Sequence, residues 1–72
     1  MPKANPNNVQ PAIVRMAVEN SKTLQAVYSQ CVIASYHTTG RMDCGFTAAD
    51  MVAWIRIYMP DVFDAKGKKV QP

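Results

Sequence analysis

Three side chains in this 72-residue chain are suited to nucleophilic or metal chemistry: Cys31, His37 and Cys44. A nucleophile needs a base beside it, and a structural zinc site needs tight ligand pairs, usually four ligands in all. The spacing of these residues matches neither pattern. His37 falls at the end of an apolar periodic stretch, where an imidazolium can meet the negative end of a helix dipole. Cys31 sits inside that stretch and is expected to pack as a small hydrophobe, whereas Cys44 is expected in a loop and more exposed. Glu19 stands alone, and Asp43, Asp50, Asp61 and Asp64 are scattered, with no pair placed to share a proton. Gly40, Gly45 and Gly67 read as turn and tail residues, and nothing resembles a phosphate-cradling loop. The expectation is a chain without catalytic residues, metal, cofactor or small-molecule substrate.

The elements that carry these residues are helical. Asn8 is a good cap for a first helix, with Pro11 in the opening turn, where its missing N–H costs nothing. Val9, Ile13, Val14 and Ala17 follow at helical spacing, widened by Met16 and Val18. After Asn20-Ser21-Lys22-Thr23, in which Ser21 or Thr23 can cap, a second helix runs to Tyr36 or His37. Leu24, Val27, Tyr28, Cys31, Val32 and Ser35 form its stripe, but Ile33, Ala34 and Tyr36 spread apolar surface around its second half. Gly40 suits a left-handed helix end. In the third helix Thr47 and Asp50 form a capping box, and Phe46 and Met51 occupy the staple positions. Met51, Val52, Trp54, Ile55 and Tyr58 or Met59 face inward until Pro60. The fold expected is all-α: a small three-helix domain over residues 9–64, with room for a short fourth turn at Asp61–Asp64 that tucks Val62 and Phe63 inward. A flexible arm, residues 1–8, precedes it, and a basic flexible tail, residues 65–72, follows.

With 49% apolar and 18% charged residues, the composition is that of a globular chain. No stretch is apolar enough to span a bilayer, and no helix carries the lysine-lined face of a membrane-surface helix. The opening residues lack the apolar segment of a secretory signal, and two cysteines are too few for a disulfide scaffold, so a reducing cytoplasm is the expected compartment. The net charge is +3. Lys3, Arg15, Lys22, Arg41 and Arg56 are balanced by the five carboxylates up to residue 65, so the excess lies in Lys66, Lys68 and Lys69. These lysines read either as a solubilising frayed end or as a contact for a polyanion or an acidic partner, with weak nucleic-acid contact through the tail.

What remains is action by contact with another protein. A second helix apolar nearly all round leaves more surface than so small a core can cover. Val32, Ile33, Tyr36, Met42 and Phe63 are the candidate anchors for a partner, with Arg41 as a polar rim. The competing reading is a helix-turn-helix DNA-binding regulator whose third helix would expose Ala48, Ala49, Asp50, Ala53 and Arg56. With Arg56 the one base-reading cation there, and Asp50 facing phosphate, that helix is poorly equipped.

The compact span from Asn8 to Asp64, between its Asn-Pro arm and Lys-Gly-Lys-Lys tail, resembles small host-takeover proteins of lytic bacteriophages. More narrowly it is similar to phage transcription regulators that bind bacterial RNA polymerase at the N-terminal region of its largest subunit. The resemblance lies in size, charge layout and general character. It implies a helical protein in the bacterial cytoplasm that inhibits initiation by displacing the sigma factor, supports antitermination, and needs no cofactor. A phage antidefence inhibitor of a nuclease complex is a third reading, with the same contact mechanism and another target.

Overall fold

The computed structural model describes residues 3–70. Met1, Pro2, Gln71 and Pro72, the outer ends of the expected arm and tail, lie outside the described residues. The architecture is all-α, with three helices: α1, Pro11–Glu19; α2, Leu24–Thr39; and α3, Ala48–Tyr58. A single 3-10 turn, Pro6–Asn8, precedes them. The Cα radius of gyration is 11.5 Å, close to the roughly 11 Å of a compact chain this long.

Local chemistry explains each helix end. Asn8 closes the 3-10 turn instead of capping α1, so α1 starts at Pro11, with Gln10 before it and no side-chain cap. The Thr23 hydroxyl accepts the Ala26 N–H at 3.1 Å and opens α2. Gly40 ends α2 at φ 77°, a left-handed conformation that glycine adopts without a Cβ penalty. At α3 the expected box is complete: Thr47 Oγ1 accepts the Asp50 N–H, and Asp50 Oδ2 accepts the Thr47 N–H, both at 3.1 Å.

The helices enclose a core of Val14, Ala17, Val18, Val27, Cys31, Met51, Trp54 and Ile55, with Val9, Cys44, Phe46 and Phe63 closing its edges. Helix α1 lies along α2, while α3 packs chiefly against the 3-10 turn and less extensively against α2. Arg15 of α1 sits over the Trp54 ring of α3 at 5.3 Å, a cation–π contact between the two helices.

Both chain ends depart from expectation. The Asn5 N–H donates to Asp50 Oδ1 at 2.6 Å, which docks this residue of the expected arm on the first turn of α3. At the other end the chain after Pro60 folds back. Leu24 N–H donates to Gly67 O and Lys69 N–H to Lys22 O, each at 2.8 Å, and isolated antiparallel bridges pair Thr23 with Lys68 and Phe63 with Lys69. Val70 N–H donates to Val62 O at 2.9 Å. Gly67 is buried. Composition missed this segment because backbone hydrogen bonds hold it, and these leave no apolar pattern. The packed body therefore includes residues 65–70.

At Gly67 φ is +84° and an added Cβ would lie 3.3 Å from Leu24 Cδ1, whereas at Gly40 nothing lies within 4 Å. Both Gly→Ala changes meet the left-handed penalty of about 1–2 kcal/mol, and only Gly67→Ala adds a steric cost. Urea unfolding should find Gly67→Ala the less stable variant.

The Asp50 carboxylate is held below the usual range by the Asn5 and Thr47 N–H groups. That of Asp64 is lowered by the Lys68 and Lys66 N–H groups. The unfolded chain thus takes up these protons first on acidification. Their contribution is complete above the unfolded value of about 3.9 and falls away as pH drops through the lower folded values. Urea midpoints measured from neutral to strongly acidic pH should decline there, and Asp50→Asn or Asp64→Asn should flatten that decline while lowering the neutral plateau.

Candidate interaction surfaces

The reactive side chains are dispersed. Cys31 is fully buried, and Cys44 is buried too, contrary to its expected exposure. The connector lies back on α2: Ser35 Oγ donates to Asp43 O at 2.6 Å and the Tyr28 hydroxyl to Phe46 O at 3.3 Å, which folds Cys44 inward. Burial, with Cys44 nearby, pushes the Cys31 thiol up to about 11. Burial and then Cys44 also raise the Tyr28 phenol. A thiol so hard to ionise is a poor nucleophile at neutral pH. His37 is exposed, its ring edge-on to Tyr36 with centroids 6.0 Å apart. Among the described residues no three His, Cys, Asp or Glu side chains cluster as metal ligands, and no helix is long and apolar enough to cross a membrane.

The expected partner anchors separate into two groups. Ile33, Tyr36 and Met42 are exposed, Met42 most of all at 74%, and Arg41 lies exposed beside Met42. At 100° per residue, Ile33 stands about 200° around the helix from Cys31, on the face turned away from the core. Val32 is half-buried against the core. Phe63 is corrected: at 3% exposure it is a core residue, and therefore not a partner anchor. Its burial depends on the C-terminal turn, whose bridge to Lys69 closes over it. Met16, Ile57 and Tyr58 are further exposed apolar side chains outside that set, the last stacked on Trp54 at 5.1 Å. Helical spacing places Met16 and Tyr58 on inward faces, and their exposure corrects that placement. Met16 borders an open groove of about 390 Å³ between α1 and α2, floored by Ala12, Ala17 and Ala34.

The three lysines are fixed by the folded turn. Asp64 Oδ1 accepts the Lys66 and Lys68 N–H groups at 2.9 Å each. Lys66 and Lys68 line a second cleft, of about 410 Å³, with Thr23, Gln25 and Arg56. Lys69 turns elsewhere, its Nζ donating to Val18 O at 2.8 Å.

Of the residues assigned to a DNA-reading helix, the two charged ones are engaged inside the protein, while Ala48 and Ala49 are exposed. Asp50 is 5% exposed beneath Asn5. Arg56 donates from Nη1 to Phe63 O at 2.9 Å and from Nη2 to Asp64 O at 2.8 Å.

Compared with known proteins, the chain matches no family model, no curated protein and no solved structure.

Alkylation of Cys31 at pH 8 should proceed only through opening of the fold. Labelling in urea should then be faster by roughly three orders of magnitude for an opening of about 4 kcal/mol. Because the folded thiol sits above its unfolded value of about 8.5, stability should also fall as pH climbs from there towards about 11.

Proposed function

We propose that this protein works by contact, as a phage-type host-takeover protein that binds bacterial RNA polymerase and regulates transcription. The observation that carries the reading is the grouping of Ile33, Tyr36 and Met42, all exposed, at the C-terminal half of α2 and the connector after it, with Arg41 alongside. Exposed aromatic, aliphatic and methionine side chains beside an arginine are the composition of an interface centre and its rim. The packed core leaves them uncovered, so a partner gains their burial without the domain losing any packing of its own.

The target follows from the resemblance to polymerase-binding phage regulators. It directs the surface to the N-terminal region of the largest subunit, in the bacterial cytoplasm, with sigma displacement and antitermination as the consequences. A noncatalytic protein alters such a machine by occupying a surface the machine needs. The helix-turn-helix alternative draws less support, because Arg56 and Asp50 are held by the protein's own backbone and the exposed start of α3 offers Ala48 and Ala49. The antidefence reading shares the contact surface and differs in target.

The tagged chain should recover polymerase from bacterial extract in near-stoichiometric amount. Tyr36→Ala and Met42→Ala together should weaken recovery by about tenfold or more, at a cost of about 1–2 kcal/mol per anchor. The helical circular dichroism should be unchanged, since both side chains lie outside the core. Clean recovery of the tagged chain without polymerase would falsify the target.

A further inference from the structure

We propose that the cleft between the C-terminal turn and the start of α2 is a binding site for the phosphate backbone of duplex nucleic acid, recognised without regard to sequence. The proposal goes beyond the protein-contact reading and uses a different surface. Lys66, Lys68 and Arg56 converge on one cleft of about 410 Å³, together with Thr23 and Gln25. Two of the three lysines that carry the net charge of +3, Lys66 and Lys68, line this cleft, while Lys69 Nζ donates to Val18 O.

The cations are positioned rather than trailing. Gly67 O and the Lys69 N–H bind Leu24 and Lys22, which fixes the turn at both sides of Lys68. The Lys66 and Lys68 side chains are exposed, while their backbone N–H groups are occupied by Asp64. Arg56 gives its hydrogen bonds to two neutral carbonyls, so those partners leave its charge uncancelled. No carboxylate is among the cleft's lining residues, and Asp64, whose charge interacts with that of Lys68, adjoins it as one anion against three cations. A phosphate approaching this cleft meets an Arg56 guanidinium already held in place and two lysines that project from an ordered backbone.

The lining also selects the kind of polyanion. No aromatic side chain lines the cleft, so it offers no platform on which unpaired bases stack. Its apolar lining, Leu24 and Val52, is half-buried and gives a protein partner no protruding anchor. Cations with a hydroxyl and an amide suit phosphate oxygens, the contacts that hold a duplex without reading it. The site lies at the opposite end of α2 from Tyr36, about 20 Å along the helix axis from Thr23 at 1.5 Å per residue. One molecule can therefore engage a protein at one end and a duplex at the other.

The test is fluorescence anisotropy of the intact chain with a short labelled duplex DNA, titrated with salt. Three neutralised phosphates predict a log–log salt slope of about −2.7. Lys66→Gln with Lys68→Gln should weaken binding by about tenfold or more at low salt and reduce the slope magnitude by about 2. Melting should fall only slightly, because the backbone N–H groups that hold Asp64 are kept and only the Lys68 charge near it is lost. Lys66→Arg with Lys68→Arg should restore binding, and Lys3→Gln, a charge lost elsewhere, should leave it near wild type. The proposal is overturned by absence of duplex binding at low salt, by equal loss in Lys3→Gln, or by tighter binding of single-stranded DNA or polyglutamate than of duplex. Polymerase recovery by the same variants reads the protein contact separately, so either idea can fail alone.

Discussion

Two backbone hydrogen bonds between the C-terminal turn and the α1–α2 corner hold much of the molecule in place. By accepting from Leu24, Gly67 satisfies one of the N–H groups that the first turn of a helix leaves open, and the Lys69 N–H takes the Lys22 carbonyl just before it. Closing that corner brings the chain over Phe63, which completes the core, and presents Lys66 and Lys68 on one wall of a cleft. A chain of this length buries a modest share of its surface with helices alone. Recruiting residues 65–70 is how this one adds to the enclosure.

The opposite end follows the same logic with a side chain in place of a strand-like pairing. Asp50 divides its two oxygens, Oδ2 capping α3 through Thr47 and Oδ1 holding Asn5. The start of α3 and the docking of residues before α1 therefore depend on one carboxylate. Between these two polar closures α2 runs through three environments: a basic cleft at its beginning, full burial at Val27 and Cys31, and exposed apolar side chains towards its end. That division gives a single helix separate surfaces for a charged and an apolar contact.

The parts legible in the sequence were those written locally. The Thr47–Asp50 box, the Gly40 terminus and the α2 stripe each depend on residues within a few positions of one another, and each is present; Phe46 and Met51, at the staple positions, are both buried. Long-range roles left no such trace. Asp50 looked like a cap alone because its second partner lies 45 residues away. Phe63 reads from the sequence both as tucked inward and as a spare anchor, and its burial upholds the first; Cys44 resembled a loop residue because Ser35 and Tyr28 draw the connector inward. The exposed anchors Ile33 and Tyr36 were visible as apolar residues on the wrong side of a helix that already had a complete stripe. The cleft was half visible: its charge was plain, and its shape required the fold.

The polar closures also bear on how the chain reaches its native state. Small helical proteins fold quickly because most of their contacts join near neighbours, and loop closure between distant segments slows that search. Here Asn5 meets Asp50 across 45 residues and Lys69 meets Val18 across 51. Helices α1 and α2 can pair early across a short connection, but both fastenings must wait until α3 is in position. These two fastenings therefore add long-range contacts to a helical fold, and each of them raises the chain-closure entropy that folding has to meet.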